Sequence, residues 1–261
     1  MLFLKKFVKY YLLLTLTSTL LVSCAISNKK TAGTFAPEAM THNEAVVQVY
    51  SARTWGAKKL VSVHTWISLK EKNSEQYTSY EIIGWRLNYN NSALVTRKNR
   101  PDRDWWGNQP KLLLDIRGQK ADSLIPKITQ AVNDYPFKET YQAWPGPNSN
   151  TFTAFIGKRV PELGLDLPST AIGKDYREIR DVVGLSPSGT GVQASLWGLL
   201  GLTIGYEEGL ELNILGLNFE LDLFDLAIEL PGLGRIGASD VDTQVQHDIK
   251  SEISQKRNTT R

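Results

Sequence analysis

The chain has one cysteine and three histidines in 261 residues, and no lysine or arginine between Gly191 and Gly234. A single cysteine rules out an intrachain disulfide, so the fold must rest on its apolar core. Two of the histidines, His42 and His247, lie in polar flanking stretches, which leaves His64 alone among the patterned segments. That scarcity excludes a histidine-rich metal site, and no Asp-x-Asp-x-Asp spacing offers an oxygen-only loop, so no metal and no cofactor are expected. Long apolar runs are also missing. The longest, Tyr10 to Leu21, falls short of the ~20 residues a spanning helix needs. Gly232-Leu233-Gly234-Arg235-Ile236-Gly237 has a dinucleotide-type spacing, but it follows Pro231 with no strand–helix–strand unit around it, which excludes that role.

What is present begins with Lys5, Lys6 and Lys9, then the apolar run, then Leu21-Val22-Ser23-Cys24. A charged segment, a short apolar segment and a small residue before cysteine resemble the lipobox of bacterial lipoproteins. The expectation is a signal peptide over 1–23, a lipid-modified Cys24 and a polar tether over 24–44. Ala25 after the cysteine points to the outer membrane, with the protein facing the periplasm of a bacterial cell envelope. Removing residues 1–23 takes away three basic groups and no acidic ones. The remainder has 27 of each sign and a net charge of 0. A neutral exported chain has no general attraction for nucleic acid, and the expected partner is a membrane reached through the Cys24 lipid.

The pattern predicts an α+β fold: a mixed or antiparallel sheet with at least two helices over 45–185, a β-rich meander over 186–237, and a disordered tail over 238–261. Strands are expected at Val46–Tyr50, at Leu60–Leu69, where Val63, Thr65, Ile67 and Leu69 alternate with His64, Trp66 and Ser68, at Tyr77–Leu87 and at Leu112–Ile116. A helix is expected over Ser123–Asn133, with Asp122 as N-cap and Pro126 in its first turn. Pro145-Gly146-Pro147 forces a turn. Phe152, Phe155, Ile156 and Val160 then recur at helical spacing, which places Ser149 or Asn150 at a helix start. The leucine-rich stretch 196–230 reads as about four strands, although leucine leaves helices open there. Its seven acids, from Glu207 to Glu229, would be repelled by anionic headgroups, so it is expected to pack on the first region.

Ser149 and His64 are the candidate chemistry. A hydroxyl at a helix N-terminus meets the positive end of the dipole and free N–H groups, which stabilise a developing oxyanion. A strand histidine serves as its base, oriented by a neighbour such as Glu81. The plainer alternatives are that Ser149 caps the helix and His64 is a hydrogen-bonded core residue. Arg53, Trp55, Trp66, Asp102, Arg103, Asn148 and Asn150 offer charge and aromatic faces for a binding groove.

Asn148-Ser149-Asn150-Thr151-Phe152, preceded in the chain by His64 on a strand, resembles the Asn-Cys-x-x-Phe helix start of circularly permuted papain-like (NlpC/P60-type) proteins, with serine in place of cysteine. The resemblance implies a permuted papain-like core and a hydrolase or acyl/peptidyl transferase acting on an envelope substrate. Across Ala52–Gly237, "ARTWGAKKLVSVHTW", "AWPGPNSNTFTAFIGKRVPELGLDLP", "AIGKDY" and "GLSPSGTG" resemble the bacterial family of domain of unknown function 3750, which implies no activity. The expected function is a lipid-anchored envelope protein that binds a ligand or partner or serves structurally. The alternative is an enzyme using Ser149 as nucleophile and His64 as base.

Overall fold

The computed structural model describes residues 33–222 and 226–237. The expected signal peptide, Cys24 and the tail from 238 lie outside them. The fold is α+β, with two helices and two antiparallel sheets.

The first sheet has the order β4-β3-β2-β1-β5, built from β1 (Val46–Arg53), β2 (Val63–Lys70), β3 (Thr78–Ile82), β4 (Leu94–Arg97) and β5 (Lys111–Arg117). The alternation read in β2 is realised: Val63, Ile67 and Leu69 join the main core, while His64 and Trp66 point to the opposite face. Helix α1 (Gly118–Asp134) and helix α2 (Ser149–Arg159) cover the core face. In α1 the buried Ala121, Leu124, Ile125, Ile128, Ala131 and Val132 follow helical spacing. This helix starts one turn before the expected Asp122 cap, directly from β5 at Arg117, so Pro126 sits inside it rather than in its first turn. The expected Tyr77–Leu87 strand ends at Ile82 and passes into a 3-10 turn over Gly84–Asn88.

The other face of this sheet sets Gln48, His64, Ser68 and Glu81 beside a second apolar cluster around Tyr50, Trp66 and Trp105, and chain segments cover it. Residues 33–44, expected as free tether, are laid against it: Asp102 Oδ2 accepts from the Phe35 and Ala36 N–H groups at 2.8 and 2.9 Å, and Tyr77 Oη donates to the Pro37 carbonyl at 2.9 Å. Asp102 is fully buried there, which makes it a structural anchor rather than a groove residue.

The C-terminal meander has seven strands in sequential order: β6 (Val183–Leu185), β7 (Gly191–Leu196), β8 (Leu200–Gly205), β9 (Gly209–Ile214), β10 (Leu217–Asp222), β11 (Ala227–Leu230) and β12 (Gly234–Ile236), of which β8 to β11 are the four expected over 196–230. It packs on the rest of the domain, as expected, and does so with its polar face. Gln193, Thr203, Glu211, Asn213, Glu220 and Glu229 are buried, while their aliphatic neighbours point outward. The buried acids are held by specific partners. Lys174 Nζ bonds Glu211, the Ser169 N–H bonds Glu229 at 2.6 Å, Ser188 bonds Glu208 through N–H and Oγ at 2.8 Å each, and Arg235 bonds Asp222 at 2.8 Å. A buried carboxylate is tolerable only with such pairing. The basic groups missing from 191–234 are therefore supplied from outside that stretch, by Lys174 beneath the sheet and by Arg235 on its last strand.

Candidate functional site

Helix α2 begins at a tightly specified point. Asn148 is its N-cap: Asn148 Oδ1 accepts from the Asn150 and Thr151 N–H groups at 2.9 and 3.2 Å, and Thr151 Oγ1 returns a bond from the Asn148 N–H at 3.0 Å. This reciprocal capping box answers one of the two readings of Ser149. Ser149 is the first helical residue, not the cap, and among the described residues its hydroxyl has no hydrogen-bond partner. Gly173, at φ +95°, allows the arrangement, because a Cβ there would lie 2.5 Å from the Asn148 amide nitrogen.

The helix start is tied to β2 on either side of His64. Asn150 Nδ2 donates to the Val63 carbonyl at 3.0 Å, and Thr65 Oγ1 bonds Asn150 Oδ1 at 3.0 Å and Thr153 Oγ1 at 2.9 Å. The β2–β3 ladder pairs Ile67–Leu69 with Thr78–Tyr80 and stops before His64 and Ile83. Where the two strands part, a cavity of about 80 Å³ opens. His64, Ser149, Asn148 and Asn150 line it, with Trp55, Trp85 and Trp105 among its walls. Sites for drug-sized ligands run ~300–1,000 Å³, so this one accepts the end of a larger molecule.

His64 Nε2 lies 2.9 Å from Glu81 Oε2. The imidazole stacks on Trp105 with centroids 3.8 Å apart and planes 7° from parallel. Glu81 Oε1 takes two more bonds, from Arg97 Nε at 2.5 Å and Arg103 Nη2 at 2.6 Å. Burial pushes the Glu81 carboxyl up, but the His64 hydrogen bond and charge, Arg103 and Arg97 outweigh it and hold the group at about 2. Burial lowers the His64 pKa, Glu81 opposes, and Arg103 and Arg97 add to the lowering. The imidazole is therefore neutral at pH 7. With Nε2 spent on Glu81, Nδ1 remains as the base nitrogen.

These shifts set an acid limit. The folded state holds Glu81 ionised well below the ordinary carboxylate range, so the unfolded chain binds its proton first. Stability is fully present above pH 4.5 and is lost as the pH falls toward 2. Glu81 alone accounts for a loss of ~3 kcal/mol over that window. Urea unfolding followed from pH 5 to pH 2.5 is expected to show this loss, and Glu81→Gln, although less stable at pH 7, is expected to lack that pH slope.

Of the first turn's N–H groups, Asn148 caps those of Asn150 and Thr151, and Phe152 bonds the Asn148 carbonyl. The sequence suggested several oxyanion donors, but the geometry leaves the Ser149 N–H itself. Among the residues expected to line a groove, Trp55, Asn148 and Asn150 do so. Arg53 instead binds the carbonyls of Lys59 and Leu60, Trp66 is buried with Nε1 on the Pro101 carbonyl, and Arg103 serves Glu81 while lying over Trp66 and Trp105. Trp85 and Arg97 have no counterpart among the residues read from the sequence, and no motif marks either.

Among the described residues no group of His, Cys, Asp or Glu is placed to hold a metal ion, and no helix is long and apolar enough to cross a membrane. Residues 44–176, just over half of the chain, match a family model described as a protein of unknown function, DUF3750. No curated protein and no solved structure matches the chain.

Proposed function

The chain belongs to the DUF3750 family, described only as of unknown function, and we propose that its pocket is a serine-dependent acyl- or peptidyl-transfer site, held at a bacterial envelope membrane by lipid on Cys24. The observation that carries this reading is the shared cavity: an uncommitted Ser149 hydroxyl at a helix N-terminus and a neutral His64 backed by Glu81 line the same opening. A hydroxyl needed only for capping would be spent on the backbone, and here Asn148 does that work.

In the reaction, Ser149 Oγ bonds to the acyl carbon while its proton passes to His64 Nδ1. The acyl–oxygen or acyl–nitrogen bond then breaks, and the leaving group takes that proton. Water repeats the sequence on the acyl-serine, releasing the acid and restoring the hydroxyl; an acceptor amine or alcohol in its place makes the reaction a transfer. The Ser149 N–H and the α2 dipole stabilise the oxyanion, and Glu81 holds the imidazole in the tautomer that leaves Nδ1 free to accept. The small aromatic-walled cavity suits an acyl or peptide end, as found on envelope lipids, lipoproteins and peptidoglycan stems. The order of His64 before Ser149 supports a permuted papain-like relationship.

The test is covalent labelling with a fluorophosphonate followed by peptide mapping. One label per chain, on Ser149, is expected. No label, or label on other hydroxyls only, overturns the enzyme reading and leaves the pocket as a ligand-binding one.

A further inference from the structure

The seven-stranded sheet presents a continuous aliphatic surface to the outside. Its register aligns Val192, Ile204, Leu210, Leu221, Ile228 and Ile236 in one row across six strands. Leu202, Leu212 and Phe219 form a second row beside it. These side chains are about 40–60 % exposed, and no lysine or arginine occurs between Gly191 and Gly234. Seven strands ~4.8 Å apart with ~3.4 Å per residue make a face of about 600 Å², at or above the largest apolar patch usual on a monomer.

The perimeter is unusual as well. Turn tips ordinarily carry Gly, Asn or Asp where φ is positive, yet Trp197 (φ 53°) and Leu215 (φ 54°) occupy such positions and are exposed. Trp144, from the loop before α2, is half exposed and bonds the Leu215 carbonyl at 2.9 Å. Tyr206 lies at the opposite end of the sheet.

We infer that this face is a lipid-docking surface that lies on the hydrocarbon boundary of a membrane. Three observations favour lipid over a second copy of the chain. A protein interface sets an apolar centre, often with aromatic or arginine anchors, inside a polar rim. Here the centre is aliphatic with a single Phe, and the rim carries Trp and Tyr, the residues that settle at headgroup level. Glu208, Glu211, Glu220, Asp222 and Glu229 are buried on the inner side, with Lys174, Arg235 and backbone N–H groups among their partners, which reduces the repulsion the sequence suggested. Finally, the eight residue steps from Cys24 to Ala32 span at most ~28 Å, so an acylated Cys24 would hold the domain close to the bilayer. That last point rests on the proposed anchor; the face's own affinity for lipid does not. Trp144 adjoins Ala143, which lines the candidate site, so the apolar rim leads to its mouth.

The described residues all fall within one unit, 32–261, and this unit can be tested without either leader or lipid. This unit is expected to sediment with phosphatidylcholine vesicles, and added phosphatidylglycerol or high salt is expected not to strengthen binding, because the face has no cations. Leu202→Glu with Leu212→Glu, cross-strand neighbours on the exposed face, is expected to weaken binding by about tenfold or more while leaving the urea midpoint near the parent value. Leu202→Ser with Leu212→Ser, a milder pair, is expected to give a smaller loss in the same direction. Absence of vesicle binding, or binding unchanged by both pairs, overturns the inference. So does a sheet-dependent dimer in analytical ultracentrifugation that does not bind vesicles, which would assign the face to a second copy. The mass of Cys24 peptides from the full chain tests the anchor separately: unacylated Cys24 with vesicle binding retained removes the anchor alone, and acylated Cys24 without vesicle binding removes the sheet's role alone.

Discussion

Ser149→Ala is expected to reduce hydrolysis of a short-chain aryl ester by at least ~10³-fold, the loss seen when a nucleophile acting with a general base is deleted. The substitution removes one oxygen that has no hydrogen-bond partner among the described residues, and the Asn148–Thr151 capping box remains. Folding stability should change by less than ~1 kcal/mol, so a large rate effect cannot be a folding effect. His64→Ala should cost a similar factor, and combining it with Ser149→Ala should add little, because nucleophile and base work as one unit. Glu81→Gln is more complex. It removes the charge that His64, Arg97 and Arg103 share, so both rate and stability should fall. Ser149→Cys supplies an intrinsically stronger nucleophile at the same position and should retain turnover. Equal rates for the parent and Ser149→Ala would end the enzyme reading.

The second large effect lies under the C-terminal sheet. Lys174 is almost wholly buried and bonds both Glu211 and the Leu167 carbonyl. Burial acts to lower its pKa, but the Glu211 carboxylate paired with it prevails and keeps it charged. Burial and Asp166 push the neighbouring Glu220 carboxyl up to about 11, so it is a neutral acid at pH 7. Lys174→Met therefore leaves Glu211 without its counter-charge in an apolar, already acidic site. A loss of ~3–5 kcal/mol in urea unfolding is expected. Adding Glu211→Leu removes the stranded charge and should recover most of that loss, since a buried pair exchanged for apolar residues is often close to neutral. If the double variant were as unstable as Lys174→Met alone, the pair would not be the cause.

Much of the first sheet was legible because its residues alternate cleanly. Val63, Thr65, Ile67 and Leu69 against His64, Trp66 and Ser68 gave both the strand and its two faces, which in turn put His64 away from the helices and beside Glu81. The start of α2 was legible from Pro145-Gly146-Pro147 and the Phe152 spacing, but the choice among Asn148, Ser149 and Asn150 depended on Gly173, which a sequence does not place next to Asn148. Strand β4 was missed because four residues, Leu94–Arg97, carry too short a pattern. The orientation of the C-terminal sheet was not legible, for a physical reason. Alternating Leu and Glu in "LELNI" shows that two faces exist, and only the partners of the acids, such as Lys174 and the Ser169 N–H, decide which one is inside.

Whether Ser149 and His64 act together is measured directly by the pH dependence of Ser149 phosphonylation. The rate at Ser149 is expected to rise once with pH as His64 loses its proton, with a midpoint below 6.5, and to level off by pH 7.5. His64→Ala is expected to lower the plateau and remove the transition. A rate that climbs steadily with hydroxide through pH 9, unchanged by His64→Ala, would mean that the two residues share a cavity but not a reaction.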